Sequence, residues 1–231
     1  MVGNWAKAAR RAAEAGFEVL EIHGAHGYLV HQFLSPVANR RTDRYGGSLA
    51  NRMRFALELT EAVRREWPDD HALFFRVSAV DGMGWTIEDT VALVRALKPL
   101  GVDVIDCSSG GIMPGSPTAG RSGLQLGYQV PYAEQIRREA ALPTVAVGLI
   151  VDARQAEAVL VGGSADMVAI GREMLRDPFW AMHAAEEFGI DSSLPLVPPQ
   201  YGWWLARRSK AGFARALATE RARWMGRAQQ G

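Results

Sequence analysis

A single cysteine, Cys107, stands in 231 residues, so no disulfide forms within the chain and the thiol usage fits a reducing cytoplasm. Lysine is nearly as rare, at Lys7, Lys98 and Lys210 only, and none of these falls at the end of an expected strand. That argues against Schiff-base chemistry, which needs a lysine amine in the site. No apolar run approaches the roughly 20 residues that span a bilayer. The first dozen residues, Met1-Val-Gly-Asn-Trp-Ala-Lys-Ala-Ala-Arg-Arg-Ala12, carry charge inside a helical pattern, unlike a secretory signal. An excess of one charge is missing too: 26 Lys+Arg against 25 Asp+Glu leave a net charge of +1, which gives no general pull toward nucleic acid or membrane. The tail from Arg207 to Gly231 is the exception, with seven basic residues against Glu220 alone. Its partial stripe of Phe213, Leu217 and Trp224 reads as a solvated basic helix, with a partner helix or an acidic surface as the alternative.

What the chain does have is apolar content, 48% of it, enough for a sizeable core. Periodicity and stop signals alternate along it. A helix over about 4–15 stops at Gly16, and 17–22 reads as a buried strand. After a long loop through 39–48, Ser48 caps a helix over roughly 49–66 with Met53, Ala56 and Leu57 on its apolar face. The strand 73–77 follows; then Thr86 and Asp89 form a capping box for a helix that stops at Gly101. A strand over 102–107 leads into a Gly/Ser/Pro-rich loop through about 127, a helix over about 131–141 and the strand 144–147. Asp152 caps a helix to about 161, Gly162-Gly163 stops it, 166–170 is the fifth strand, and a last helix begins near Asp177-Pro178.

Five strands alternating with crossover helices predict an α/β fold, a parallel sheet wrapped by helices. The spacing suits a (β/α)8 TIM barrel, yet the chain offers about five C-terminal βα units and opens on a helix. The expectation is therefore an incomplete barrel with N-terminal units missing over 1–204, followed by a basic helical tail at 205–231.

The segment His23-Gly-Ala-His-Gly-Tyr-Leu29 then stands where the first strand ends, the place where α/β proteins bind ligands. His23 and His26 suit one carbonyl oxygen or oxyanion, and the Tyr28 phenol suits proton delivery. A zinc site is a weaker reading, because no acidic or cysteine partner lies at ligand spacing. The second strand places Arg76 inside an apolar run, and the third ends in Ser108-Ser109-Gly110-Gly111, suited to a ligand's polar rim or to a plain turn. The fourth and fifth end at Gly148 and at Gly171-Arg172, a pattern that fits a phosphate clamp or, more blandly, packing glycines beside a surface arginine.

Several runs resemble the Old Yellow Enzyme family, the NADH:flavin oxidoreductases, nearest its bacterial thermophilic-like branch. They are Glu21-Ile-His-Gly-Ala-His-Gly-Tyr-Leu29, Phe33-Leu-Ser-Pro36, Arg41-Thr-Asp-Arg-Tyr-Gly-Gly-Ser48, Asn51-Arg52, Phe75-Arg-Val-Ser78, Asp106-Cys-Ser-Ser-Gly110, Ala146-Val-Gly148 and Ile170-Gly-Arg-Glu-Met-Leu-Arg-Asp-Pro178. They keep the family's order over about residues 5–203, its C-terminal two-thirds. The resemblance implies an FMN-dependent ene-reductase that uses NADPH or NADH on a small enone-type substrate. His23 and His26 would hold the substrate carbonyl, and Tyr28 would donate a proton to the alkene. Arg76 would lie beside the flavin ring, Ser108, Ser109 and Gly110 would line the ribityl side, and Gly148, Gly171 and Arg172 would bind the phosphate. Without the family's N-terminal third, this chain alone is expected to hold FMN weakly or not at all. Close relatives also carry an arginine, reaching into a neighbouring subunit, where this chain has Trp203 in Gln200-Tyr201-Gly-Trp-Trp204; a homo-oligomer stays open. Two rival readings remain: another phosphate-binding barrel such as an aldolase or isomerase, and a non-catalytic fragment that acts as a binding or assembly module.

Overall fold

The computed structural model describes residues 1–112, 125–190, 197–210 and 213–228, without the side chains of 208–210, 213–215 and 226–228. Most of the Gly/Ser/Pro-rich loop expected before residue 127 lies outside the described residues. The described chain forms two compact units, Met1–Gly171 and Arg172–Gly231.

In the first unit, helix α1 spans Val2–Glu14. It ends where Gly16 takes φ +84°, with Gly16 N–H donating to Ala13 O and Phe17 N–H to Ala12 O. These two bonds satisfy carbonyls that a helix end leaves open. Strand β1 is Val19–Gly24, β2 Ala72–Ser78, β3 Val104–Ser108, β4 Thr144–Val147 and β5 Met167–Ala169. They form a five-stranded, wholly parallel sheet in sequence order, β1-β2-β3-β4-β5. Helices α2 (Leu29–Leu34), α3 (Leu49–Arg64), α4 (Ile87–Leu97), α5 (Val130–Ala140) and α6 (Ala153–Val161) connect the strands.

The cap signals act as the residues predict. Ser48 Oγ accepts from Asn51 N–H at 3.3 Å, Asp152 Oδ1 from Gln155 N–H at 2.8 Å, and Thr86 and Asp89 complete a reciprocal capping box. Gly101 closes a short 3-10 turn, Lys98–Leu100, at φ +84°.

Three expectations change. Strand β1 runs two residues later than expected, because pairing with β2 carries its extended backbone through His23 and Gly24. Residues 29–34 form helix α2 rather than loop. Helix α3 buries Phe55, Ala56, Leu59, Thr60 and Val63; of the expected stripe only Ala56 is in the core. The aromatic ring of Phe55 shifts that stripe by stacking on Phe33 of α2, with centroids 4.3 Å apart.

Period-two alternation divides the sheet into two faces. One face, Ile22, Leu73, Phe75, Val77, Ile105, Cys107 and Ala146, is almost wholly buried. It packs under helix residues such as Leu59, Val63, Leu93, Leu97 and Ile136, which are themselves buried. The opposite face carries Glu21, His23, Arg76, Ser78, Asp106 and Ser108 beside Val19 and Met167, so it is polar across β1–β3 and partly open.

The second unit holds helices α7 (Arg172–Arg176), α8 (Trp180–Glu187), α9 (Pro199–Lys210) and α10 (Phe213–Ala228). Helix α7 precedes the last helix expected near Asp177, and the expected tail of 205–231 shares a unit with α7–α9. Trp203 packs edge-on against Trp204, with the Arg207 guanidinium 4.8 Å from its ring centroid. Among the described residues no helix is long and apolar enough to cross a membrane.

One buried knot joins β2 to α4. Thr90 Oγ1 accepts from Trp85 Nε1–H at 2.7 Å and donates to Ala79 O at 2.8 Å. Thr90→Val keeps the shape and removes both bonds, so it should cost about 1–3 kcal/mol, since a buried donor left unpaired pays its desolvation. Urea unfolding measures this; an unchanged midpoint would contradict it.

Candidate functional site

The polar face of the sheet ends, at its carboxyl edge, in a turn that the backbone cannot make cheaply. His26 sits in the left-handed region at φ +59°, and Gly27 follows at φ +75°. A non-glycine residue there is strained unless its surroundings enforce it. Here they do: His26 N–H donates to Ser78 Oγ at 2.9 Å, and Ser78 Oγ–H donates to Gly110 O at 2.7 Å. Gly110 N–H reaches Val80 O at 2.8 Å. The backbones of Gly27 and Gly111 then touch so closely that a Cβ on Gly27 would overlap Gly111 O and one on Gly111 would overlap His26 Cα. Both positions need glycine for this approach.

Helix α2 secures the turn from the other side. Gly27 N–H donates to His31 Nδ1 at 2.9 Å, and Gln32 Nε2 donates to Gly27 O at 2.7 Å. Because His31 Nδ1 accepts, its proton lies on Nε2, which is buried and points toward Asp81 Oδ2 at 3.9 Å. Asp81 is held in turn by Ser35 Oγ at 2.5 Å and by the N–H groups of Met83 and Trp85 at 2.6 and 3.0 Å.

The structure brings His23, His26 and Tyr28 together. His23 lies with ring centroids 5.3 Å from His26 and 5.4 Å from Tyr28, whose side chain is exposed. His26 Nε2 and Ser108 Oγ are 2.7 Å apart. Ser109 Oγ–H donates to Gln129 Oε1 at 2.6 Å, whereas Ser108 lies 3.4 Å from that oxygen. In the tautomer whose Nε2 accepts from Ser108 Oγ–H, the neutral His26 ring keeps Nδ1–H to donate outward. Gln129 Nε2 finishes the chain at Val147 O, 3.0 Å away. Ser108, Ser109 and Gly110 therefore brace the histidine turn through β3.

Burial, then Arg76 and the neighbouring imidazoles, hold His26 down at about 4; burial and Arg76 also lower His23. Both rings are neutral at pH 7, so the turn presents neutral N–H donors rather than imidazolium. Arg76 lies across from His23 in the β1–β2 register, with Nη1 3.4 Å from Asp106 Oδ2 on β3.

Gly148 follows β4 at φ +119°, where a Cβ would stand 2.8 Å from Gln129 Nε2. Gly171 follows β5 with nothing within 4 Å of an added Cβ, so its backbone is open to a ligand. Arg172 begins the second unit as the first residue of α7.

Residue-by-residue reading missed Glu21, Asp81, Asp106 and Gln129 as parts of the site. Asp106 had a signal, a carboxylate at the inward position of an otherwise apolar strand. Gln129 had none, since its contacts come from two separate strand ends, those of β3 and β4.

A parallel sheet here gathers two neutral imidazoles, a phenol and an arginine toward its carboxyl edge, the edge at which α/β proteins bind ligands. The chain belongs to the NADH:flavin oxidoreductase / NADH oxidase family, whose pattern it matches over residues 1–189. It is 51% identical over 197 residues to the NADPH dehydrogenase of Geobacillus thermodenitrificans (strain NG80-2), covering 84% of this chain and 56% of that protein. With the NADPH dehydrogenase of Bacillus subtilis (strain 168) it shares 48% over 206 residues, 87% of this chain and 58% of that protein. Among solved structures, morphinone reductase superposes with a TM-score of 0.66 at 29% identity, over 82% of this chain and 48% of that one. A 2-naphthoyl-CoA reductase complex gives 0.74 at 26%, over 80% and 29%. The chain thus spans a little over half the length of the curated relatives it matches.

His31 offers a pH test of the turn. Burial holds its pKa down at about 4, against an ordinary value of 6.5, with Asp81 opposing. The unfolded chain takes up the proton first as pH falls, so His31 contributes stability above about pH 6.5 that drains away toward pH 4. His31→Gln should be less stable than wild type at pH 7, and the gap should narrow through that window. A gap constant from pH 7 to pH 4.5 in urea unfolding would contradict it.

Proposed function

We propose that this chain carries the substrate-polarising part of an FMN-dependent NAD(P)H oxidoreductase site that reduces the C=C bond of α,β-unsaturated carbonyl compounds. The observation that carries the reading is the cluster of neutral His23 and His26 beside the exposed Tyr28, on the strand edge that also bears Arg76. The sequential all-parallel strand order supports an incomplete (β/α)8 barrel as the parent architecture.

The residues present suit FMN. Arg76 Nε is buried with no hydrogen-bond partner, a free donor on the face where an electron-rich ring would lie. Gly171 offers open backbone at the end of β5, the kind of close approach a phosphate needs, and Gly148 at φ +119° turns the chain at the end of β4 against Gln129. Ser108, Ser109 and Gly110 form a braced wall between these regions. When bound, FMN supplies hydride transfer from NAD(P)H to the β-carbon of the substrate.

The chain's own residues do the rest. The N–H groups of His23 and His26 hold the substrate carbonyl oxygen and stabilise the negative charge that grows on it, and neutral donors fixed by a braced turn do so without reorganising. The Tyr28 hydroxyl delivers a proton to the α-carbon. Its exposure leaves the ring open to a small substrate beside the histidine pair.

With FMN in excess, NADPH consumption should rise when cyclohexenone is added. Tyr28→Phe should cut the enone-dependent rate by about 10²–10⁴-fold, the usual worth of a positioned proton donor. Equal rates for the two proteins would contradict the role of Tyr28. A second reading has its own support in the matched length: a binding or assembly module that keeps the site residues. Absence of enone-dependent turnover in FMN-saturated wild type would favour it.

A further inference from the structure

The polar face of the sheet holds a group that the reading above leaves unused. Two carboxyls, Glu21 on β1 and Asp106 on β3, flank Arg76 on β2. The register places His23, Arg76 and Asp106 in one row across three strands, and Glu21 lies two residues before His23 on the same face. The Asp106 side chain is 7% exposed, with Oδ2 3.4 Å from Arg76 Nη1. Its Oδ1 and Arg76 Nε are buried without hydrogen-bond partners. Glu21 is exposed as a residue, at the edge strand, but its carboxyl lies near enough to that of Asp106 for the two charges to act on each other. Two carboxylates so placed repel, and a proton held between them removes that repulsion.

We propose that Glu21 and Asp106 are positioning residues for Arg76: the two carboxyls hold one proton between them, and the pair, carrying a single negative charge, aims the guanidinium across the sheet face and balances it. This rests on the reading of Arg76 as the cation beside the flavin ring. Desolvation of the Glu21 carboxyl and the adjacent Asp106 push Glu21 up to about 7, with Arg76 pulling the other way. Desolvation raises Asp106 as well, but Arg76 contacts it directly and opposes that shift. The two groups titrate as a unit.

The remaining charged or titratable groups that face Arg76 are His23 on β1 and His26 in the turn, both lowered partly by it. Among the described residues, β4 and β5 turn only Val145, Val147, Met167 and Ala169 toward this face. Arg76 therefore sees one counter-charge while the shared proton is present. It sees two when that proton leaves, which cancels its field toward the histidines and toward any ligand that gathers negative charge.

The test is NMR on the full chain labelled with 13C and 15N, first without flavin. In wild type the Glu21 and Asp106 carboxyl carbons should titrate together, with one step near neutral pH. In Asp106→Asn the Glu21 midpoint should fall by about one pH unit or more, because the like charge is gone. The Arg76 Nε–H signal should persist in Glu21→Gln, whose amide can donate to Asp106, and broaden or vanish in Glu21→Leu. A merely space-filling role would treat Gln and Leu alike. Both carboxyls titrating below about pH 5 in wild type, or an Arg76 signal equally sharp in Glu21→Leu, would overturn the proposal. FMN is then titrated into the same proteins by flavin fluorescence, with binding expected to weaken in Glu21→Leu and hold in Glu21→Gln. Equal FMN binding by wild type and Glu21→Leu would also overturn it. If the NMR results come out as expected and FMN binds none of the proteins, the flavin reading fails and the Glu21–Asp106–Arg76 unit stands.

Discussion

The close approach of two backbones, at Gly27 and Gly111, is the constraint on which the site depends. It joins the turn after β1 to the turn after β3, and it does so over β2, whose Ser78 hydroxyl bridges His26 N–H and Gly110 O. Without it the left-handed His26 would relax, since nothing intrinsic to histidine favours φ +59°. With it, the imidazoles and the phenol are fixed to a rigid sheet rather than to a free loop. The strain at His26 is offset by a network in which nearly every polar group is matched, from Ser78 through Ser108 to Gln129.

That network also explains the electrostatics. Three strands bring Arg76, Asp106, Glu21 and His23 onto one face, and helices seal the other with aliphatic side chains. The helix-packed face supplies the core. The polar face is where charge is concentrated, and the pKa directions follow from that: histidines held neutral by burial and a nearby guanidinium, and the Glu21 carboxyl raised by burial first and then by its like-charged neighbour Asp106. A neutral imidazole is a weaker donor than imidazolium but needs no counter-ion, so a substrate carbonyl can sit beside it without a competing carboxylate.

Much of this was legible in the residues. Alternating strand and helix patterns, the Ser48, Thr86 and Asp152 caps and the glycine stops located the elements of the first unit to within a few residues. They succeed because caps and left-handed glycines are local devices. Helix α2 was not legible, for Leu29–Leu34 is short, carries no side-chain cap and is held by tertiary contacts such as Phe33 on Phe55 and Arg52 Nε on Leu34 O. The buried stripe of α3 shifted for the same reason. In the site, His23, His26 and Tyr28 are neighbours in sequence, so their clustering could be read. The ties to Ser108, Gln129 and Asp106 come from register between strands more than 80 residues apart, as with His26 and Ser108 at a separation of 82, and no local pattern encodes that.

The central claim is that these strand ends form a flavin-facing, carbonyl-polarising site. It is tested most directly by titrating the chain into FMN, up to high protein concentration because binding is expected to be weak, and following the visible absorption of the flavin. A weak but saturable perturbation of the flavin band in wild type, lost in Arg76→Ala, is the result this account predicts. A spectrum that stays that of free FMN at every protein concentration would contradict it.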